Sequence, residues 1–235
     1  MTMGQTQTGS IRWSVGSVAL LMLPATAFAL GCWQVKRLKW KLDLIEMLKT
    51  QMNMEAIPFP EHDTELLNDL EYRRVHVTGE FLHDREFSIH PRGRFDKGHK
   101  EAKSGLVANS AMSSHGAHII TPFKLAESGR VILINRGWVP TGKISPTTRS
   151  DSQIKGRVSF DAVVRRSEKR PQFVSNNIPE RGIWYYKDFE AMARCYGTEP
   201  IYLEATYEST VPGGPIGGQT NVTVRNEHLN YLITW

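Results

Sequence analysis

Eight histidines and two cysteines carry most of the ligand and acid–base chemistry open to this sequence. His62, His76, His83, His90, His99, His115, His118 and His228 form no HExxH pair and no CxxCH attachment site, which excludes a helix-borne zinc peptidase centre and a covalently tethered haem. Cys32 and Cys195 stand far apart and make no CxxC, so a paired-thiolate copper or redox site and a disulfide framework are also excluded. Neither a GxSxG nucleophile elbow nor a Walker loop, GxxxxGK followed by Ser or Thr, occurs. His115 and His118 lie three residues apart in Gly/Ser-rich sequence, where helical spacing brings them to no common face. The glycine-rich run Gly213–Gln219 reads as a tight turn and not as a phosphate cradle, because Pro215 removes a backbone donor and no Lys follows in register.

Two further groups keep two readings each. Arg136-Gly137-Trp138 places an Arg and a Trp beside a turn, which suits either a partner-binding anchor or the structural closing of a strand end. His228 follows Arg225-Asn226-Glu227 and precedes the uncharged run Leu229–Trp235. An imidazole at the edge of an apolar, aromatic-flanked stretch suits axial ligation of a lipophilic haem; it equally suits a hydrogen-bonded histidine at a membrane interface.

The elements that must position these residues begin with a charge-free run. Trp13 to Val35 is 23 residues without a formal charge, bounded by Arg12 and Lys36, and at 1.5 Å per residue it is long enough to cross a bilayer core of about 30 Å. Trp13 and Trp33 sit at its two ends as interfacial aromatics do, which favours a transmembrane anchor over a cleaved signal peptide or a buried core helix. Val35, Leu38, Leu42, Ile45 and Leu48 then recur at spacings of three and four, so an amphipathic extension follows until Ile57-Pro58-Phe59-Pro60 stops it. Lys36, Arg37, Lys39, Lys41 and Lys49 follow the anchor against Arg12 alone before it, and by basic-residue count the C-terminal side would face the cytoplasm or matrix.

Beyond Tyr72 the pattern changes to short β-like runs punctuated by Gly and Pro: 72–81, 86–90, 118–125, 131–135, 158–165, 183–186, 201–207 and 222–225. Eight short strands without alternating long helices predict a closed or nearly closed, mainly antiparallel, barrel-like sheet. In the first strand, alternation puts Val75, Val77, Gly79 and Phe81 on the core face and His76, Thr78 and Glu80 on the other. Small helices are expected at 64–70, with Asp63 as cap, and at 189–195, with Asp188 as N-cap. The stretch from Gly93 to Gly116 reads as a long excursion between strands. A chain of 235 residues, 40% hydrophobic and 23% charged, has room for one such domain with an accessory segment. Its net charge of +5 is interspersed apart from the short run Arg165–Arg170, which gives no nucleic-acid-binding footprint. The fold class is therefore α+β: a tail at 1–12, a transmembrane helix at 13–35, an amphipathic extension at 36–56, a β-rich domain at 57–228, and at 229–235 the entry to a second membrane segment that reads as truncated.

Several blocks taken together resemble the Surfeit locus protein family, the cytochrome c oxidase assembly factors. They are Gly31-Cys32-Trp33-Gln34-Val35-Lys36-Arg37, Leu70-Glu71-Tyr72-Arg73, Thr121-Pro122-Phe123, Ile134-Asn135-Arg136-Gly137-Trp138-Val139-Pro140, Asp188–Ala193, Val211–Thr220 and Arg225–Trp235. Their order is specific, they cover nearly everything from Gly31 onward, and the animal branch is the most similar. The resemblance implies a non-enzymatic, chaperone-like protein of the mitochondrial inner membrane with its main domain in the intermembrane space. Its implied partners are cytochrome c oxidase subunits, assembly intermediates and membrane lipid. It further implies transient contact with haem a, for which His228 is the matching ligand position, with Trp33 and Tyr231 near the same interface. Three features depart from the family: no Arg or Lys between Met1 and Ile11 of the kind a transit peptide carries, a basic-residue count favouring the opposite orientation, and an end at Trp235 where the family continues into a second helix. A reading from a different class is a signal-anchored secretory protein with a lumenal β-domain as binding module, for which Asn221-Val222-Thr223 is a formal glycosylation sequon.

Overall fold

The computed structural model describes residues 15–95, 115–168, 170 and 173–220. It divides into two compact units, of which the first holds the N-terminal helix up to Met47 and the second is Leu48–Val222. Helix α1 runs unbroken over Val15–Asn53, so the apolar stretch and its polar extension are one element that ends three residues before the expected boundary. Leu, Ala, Met and Lys supply the propensity. Pro24 lies inside the helix. Nearby, the Thr26 hydroxyl donates to the Met22 carbonyl at 2.5 Å. The shielded stripe differs from the predicted one: Gly31, Gln34, Leu38, Lys41, Leu44, Ile45 and Leu48 are half-buried, whereas Val35 and Leu42 are exposed. Among the described residues, no helix is long and apolar enough to cross a membrane.

The second unit is built on one seven-stranded sheet: β1 Ile57–Pro58, β2 Arg74–Phe81, β3 Phe87–Arg92, β4 Gly116–Leu125, β5 Val131–Pro140, β6 Arg157–Arg165 and β7 Tyr202–Ala205. The order is β1-β2-β6-β7-β5-β4-β3, and β2 also pairs with β4, so β2, β6, β7, β5 and β4 close into a five-stranded barrel. Closure brings backbones close at Gly79, opposite Leu125, where a Cβ would lie 2.2 Å from the Lys124 carbonyl oxygen. Val75, Val77, Phe123, Leu125, Ile132, Ile134, Ala162, Val164 and Leu203 make one continuous apolar cluster, and the expected core face of β2 holds, with Phe81 partly buried at its end. The sheet is not purely antiparallel: β1–β2 and β5–β7 run parallel.

A second apolar cluster joins Ile89, Ile120, Leu133 and Tyr202 of the sheet to Trp184, Phe189 and Met192, the last two on α2 (Phe189–Tyr196). The predicted Asp188 cap is present, its carboxylate accepting from the Ala191 N–H at 3.0 Å, and Gly197 ends the helix with φ 62°. Residues 64–68 form a 3-10 helix that the Asp63 side chain does not cap. Residues 183–186 form no strand; Ile183 and Trp184 make single bridges to Ile178 and Ile89, because the fully buried Trp184 belongs to the packing layer outside the sheet. The strand beginning at Val131 continues to Pro140 and absorbs Arg136-Gly137-Trp138. The expected strand at 222–225, the segment 229–235, the sequon at 221–223 and most of the Gly93–Gly116 excursion lie outside the described residues.

The glycine-rich run is the turn that its sequence implies: Ile216 exchanges both backbone hydrogen bonds with Trp138 at 2.9 Å, extending the edge of β5. Gly137 faces that contact with φ 132°, and a Cβ there would sit 2.1 Å from the Ile216 carbonyl oxygen. Gly137→Ala is therefore expected to destabilise the domain by about 2–4 kcal/mol through combined backbone strain and overlap. Urea unfolding followed by tryptophan fluorescence checks this. Gly142→Ala, which meets no atom within 4 Å, is the matched control and should stay within roughly 0.5 kcal/mol.

Candidate functional site

Pairing between β4 and β5 slips by one residue where Ile119 faces Gly137 and Ile120 faces Asn135, leaving Arg136 as the extra residue. A bulge of this kind re-aims a side chain. The Asn135 side-chain oxygen holds the bulge by accepting from the Gly137 N–H at 3.0 Å. Arg136, only 5% exposed, donates from Nη2 to the Ser152 carbonyl at 2.5 Å and lies over the Phe81 ring at 5.1 Å. Its Nη1 forms an ion pair with Glu86 Oε2 at 3.6 Å, beyond hydrogen-bond reach, and has no hydrogen-bond partner among the described residues. Glu86 is fully occupied from elsewhere. Arg149 clamps both its oxygens, and the Thr121 hydroxyl donates to Oε2 at 3.2 Å. Two buried guanidinium groups thus share one buried carboxylate. Burial, opposed by the charge of Glu86 and reinforced by that of Arg149, lowers the Arg136 pKa to about 10.

Beside Arg136 opens a pocket of about 290 Å³ at one end of the barrel, walled by Phe81, Val158, Phe160 and Ile154, with Glu208 and Thr210 also lining it. An apolar wall with a cation set into it suits an apolar segment of a partner that brings a negative or strongly accepting group. Ile154 is exposed at this pocket and marks its accessible side.

The opposite face of β7 carries a second buried network. Lys187 Nζ donates to Glu204 Oε1 at 2.7 Å, Thr220 donates to Oε2 at 2.7 Å, and Arg165 Nε approaches Oε2 at 3.8 Å. Lys187 also lies 3.3 Å from Glu168, which in turn pairs with Arg92 at 3.3 Å. Burial alone would raise the Glu204 pKa, but the charges of Lys187 and Arg165 and the hydrogen bonds from Lys187 and Thr220 outweigh it and hold the carboxyl at about 2. His118 on β4 is fully enclosed; burial, together with the charges of Lys187 and Arg92 and against that of Glu204, takes its pKa down to about 3. It is neutral at physiological pH. Each carboxylate in these networks is paired with a cation.

The structure does not bring the sequence-derived candidates together. Arg136, Gly137 and Trp138 are all buried and lie inside β5, not at a strand end, with Trp138 donating from Nε1 to the Arg92 carbonyl at 2.9 Å; of the three, Arg136 lines the pocket. Cys32 and Cys195 are exposed and unbridged, and among the described residues no group of three His, Cys, Asp or Glu could hold a metal. His228, Tyr231 and His99 lie outside the described residues. A haem ligand needs an imidazole nitrogen open to an apolar chamber. His118 leaves Nε2 without a partner but is sealed in the packed layer. His76 borders a pocket of about 380 Å³, yet its Nδ1 is held by Asp161 at 2.8 Å and Glu61, Glu127 and Arg157 make the pocket polar. Neither fits the group. Glu86, Arg149 and Lys187 carry no local sequence signal of their role; Glu204 carries one, as a charge inside the apolar run Ile201–Ala205.

With this geometry in view, comparison with known proteins is specific. The profile described as the SURF1 family matches residues 21–235. The chain is 58% identical over 229 residues to a SURF1-like protein of Caenorhabditis elegans, covering 96% of this chain and 71% of that one. It is 50% identical over 216 residues to Surfeit locus protein 1 of Homo sapiens, covering 92% of this chain and 71% of the relative. For Surfeit locus protein 1 of Takifugu rubripes the identity is 48%, with 92% and 89% covered.

Two outcomes follow from the networks. Glu86→Gln leaves Arg149 and Arg136 buried without a counter-charge and is expected to cost about 3–5 kcal/mol in urea unfolding. Glu190→Gln, at an exposed pair with Arg194, should cost no more than about 0.5 kcal/mol. His118 takes up its proton in the unfolded chain near the ordinary value of 6.5, but in the folded chain only near 3. Stability is therefore complete above pH 6.5 and falls as the pH drops below it, by about 2 kcal/mol between pH 6.5 and 5 from this residue. His83, whose pKa is lowered chiefly by burial, adds in the same direction. His118→Gln is expected to flatten that part of the stability profile, a difference read by urea unfolding at each pH.

Proposed function

This chain belongs to the SURF1 family, and from that membership we propose that it is a non-enzymatic assembly factor for mitochondrial cytochrome c oxidase, tethered in the inner membrane with its barrel in the intermembrane space. The observation that carries the proposal is the match across residues 21–235, which spans both the N-terminal helix and the whole barrel. The charge-free run at 13–35 supports the tether, being long enough for a bilayer core and flanked by Trp13 and Trp33. In this proposal the extension at 36–56 links the anchor to the domain at 57–228, and the uncharged residues 229–235 are the start of a second membrane segment.

In this reading the barrel acts by holding, not by reacting. An apolar segment of an oxidase subunit or assembly intermediate sits on the pocket walled by Phe81, Val158 and Phe160, with the Arg136 guanidinium offering its charge to an acceptor on that segment. The closed sheet keeps the pocket open without a partner, so binding costs little ordering of the barrel. Haem a, if it is the group handled, would supply the redox centre of the oxidase itself. On this chain His228 is the assigned contact, by its place between Arg225-Asn226-Glu227 and the uncharged run that follows.

Depleting the protein in its own cells is expected to lower cytochrome c oxidase activity selectively, and re-expression of residues 1–235 to restore it. An unchanged oxidase level after depletion, or a glycan on Asn221, would overturn the proposal. Ile154→Asp puts a negative charge at the exposed side of the pocket without touching the core, and is expected to leave the protein as abundant as the parent while abolishing co-purification of oxidase intermediates in mild detergent. His228→Ala is expected to leave that co-purification intact and to lower the haem a absorbance of the rescued mitochondria.

A further inference from the structure

We propose that the face of α1 bearing Trp33, Lys36, Arg37 and Trp40 is a binding site for the head group of an anionic phospholipid; the proposal rests on the membrane reading of α1. The four residues stand at positions i, i+3, i+4 and i+7, which one face of a continuous helix brings together, and they enclose a shallow pocket of about 310 Å³. Trp33 is 55% exposed and Trp40 is 51% exposed, an uncovered aromatic pair of the kind found at membrane surfaces. The Arg37 guanidinium lies over the Trp40 ring at 4.2 Å. A guanidinium stacked in this way is already oriented and keeps its planar donor edge for two oxygens of a phosphate, while Lys36 adds a mobile point charge.

Charge and depth favour the same ligand. Four of the six residues from Lys36 to Lys41 are basic, and no Asp or Glu occurs between Trp13 and Leu42. The apolar run ends at Val35, and the helix rises about 7.5 Å from there to Trp40. The polar layer on each side of a bilayer core is about 5–8 Å thick. Lys36, Arg37 and Trp40 therefore fall at the level of lipid phosphates, with Trp33 at the inner border of that layer, and each basic residue gains attraction from an anionic surface. The half-buried stripe through Gln34, Leu38, Lys41 and Ile45 lies on another side of the helix, so whatever shields it does not compete for this site.

The test uses the full chain. Reconstituted in mixed vesicles of phosphatidylcholine and phosphatidylglycerol and then extracted in mild detergent, it is expected to retain phosphatidylglycerol in excess over its share of the mixture. Lys36→Gln with Arg37→Gln should reduce that excess about 30-fold, the value for two basic side chains near an anionic surface. Lys155→Gln with Arg157→Gln, the same charge change on the barrel, should leave it unchanged. Inorganic phosphate added during extraction should not displace the lipid, which separates a lipid site from a free-phosphate site. Equal retention of the two lipids, or an unchanged excess in the Lys36/Arg37 variant, overturns the head-group site. Flotation with pure phosphatidylcholine vesicles tests the membrane reading separately: flotation with both lipids keeps the anchor, flotation with phosphatidylglycerol alone keeps the site and removes the anchor, and flotation with neither removes both.

Discussion

Pairing of Gly79, Glu80 and Phe81 with Leu125, Lys124 and Phe123 turns a seven-stranded sheet into a barrel, and the other features of the domain follow from that closure. Strands can meet there only because Gly79 has no side chain to strike the Lys124 carbonyl. Once the ring is shut, alternate residues of five strands face one enclosed apolar core, while the residues between them face outward, to solvent on β2 and under a second apolar layer on β4, β5 and β7. Trp184 and α2 supply that cover. The phenyl ring of Phe189 stacks on Tyr202 at 4.4 Å, and Tyr196 stacks on Phe87 at 3.9 Å.

Closure also leaves polar groups that have to be met inside. The bulge at Arg136 sends a guanidinium toward the barrel end, where water is scarce, and its cost is contained by Ser152, by the Phe81 ring and by the distant share it takes in Glu86. On the outer face Glu204 sits under the covering layer, tied to Lys187 and Thr220. A buried pair of this kind contributes little net stability against an apolar substitute, yet losing one partner is expensive. The networks therefore fix which loops lie where: Ser152 and Arg149 at one end, Lys187 and Thr220 across the other face. The open pocket beside Arg136 is the place where that fixed frame meets the outside.

The helix obeys a different constraint. Its first half has no charge to solvate and its second half has many, with Trp33 and Trp40 on either side of the change. In the proposed membrane reading, the apolar run, the aromatic pair and the basic cluster each meet their preferred depth at a bilayer surface.

Much of this was legible in residue order, because the signals are local. The charge-free run and its basic border, the Asp188 cap followed by Gly197, the alternation of Val75 and Val77, and the turn at Gly213–Gln219 each depend on neighbours within a few positions. Alternation and turn residues also implied a closed sheet, although not that β5 and β7 would run parallel, since pairing direction is decided by the path of the chain between them. What only the tertiary structure decided is where charge would be buried. Glu86 meets Arg149 across 63 positions and Glu204 meets Lys187 across 17, and apart from the apolar run around Glu204 nothing near them marks them as interior. A carboxylate reads as surface in a sequence because water solvates it best; it becomes core only when a fold brings a cation to replace that water. Arg136 and Trp138 follow the same rule: in sequence they suit a partner anchor or a structural strand closure, and only strand β5 and the Ile216 bridge decide how far each is enclosed.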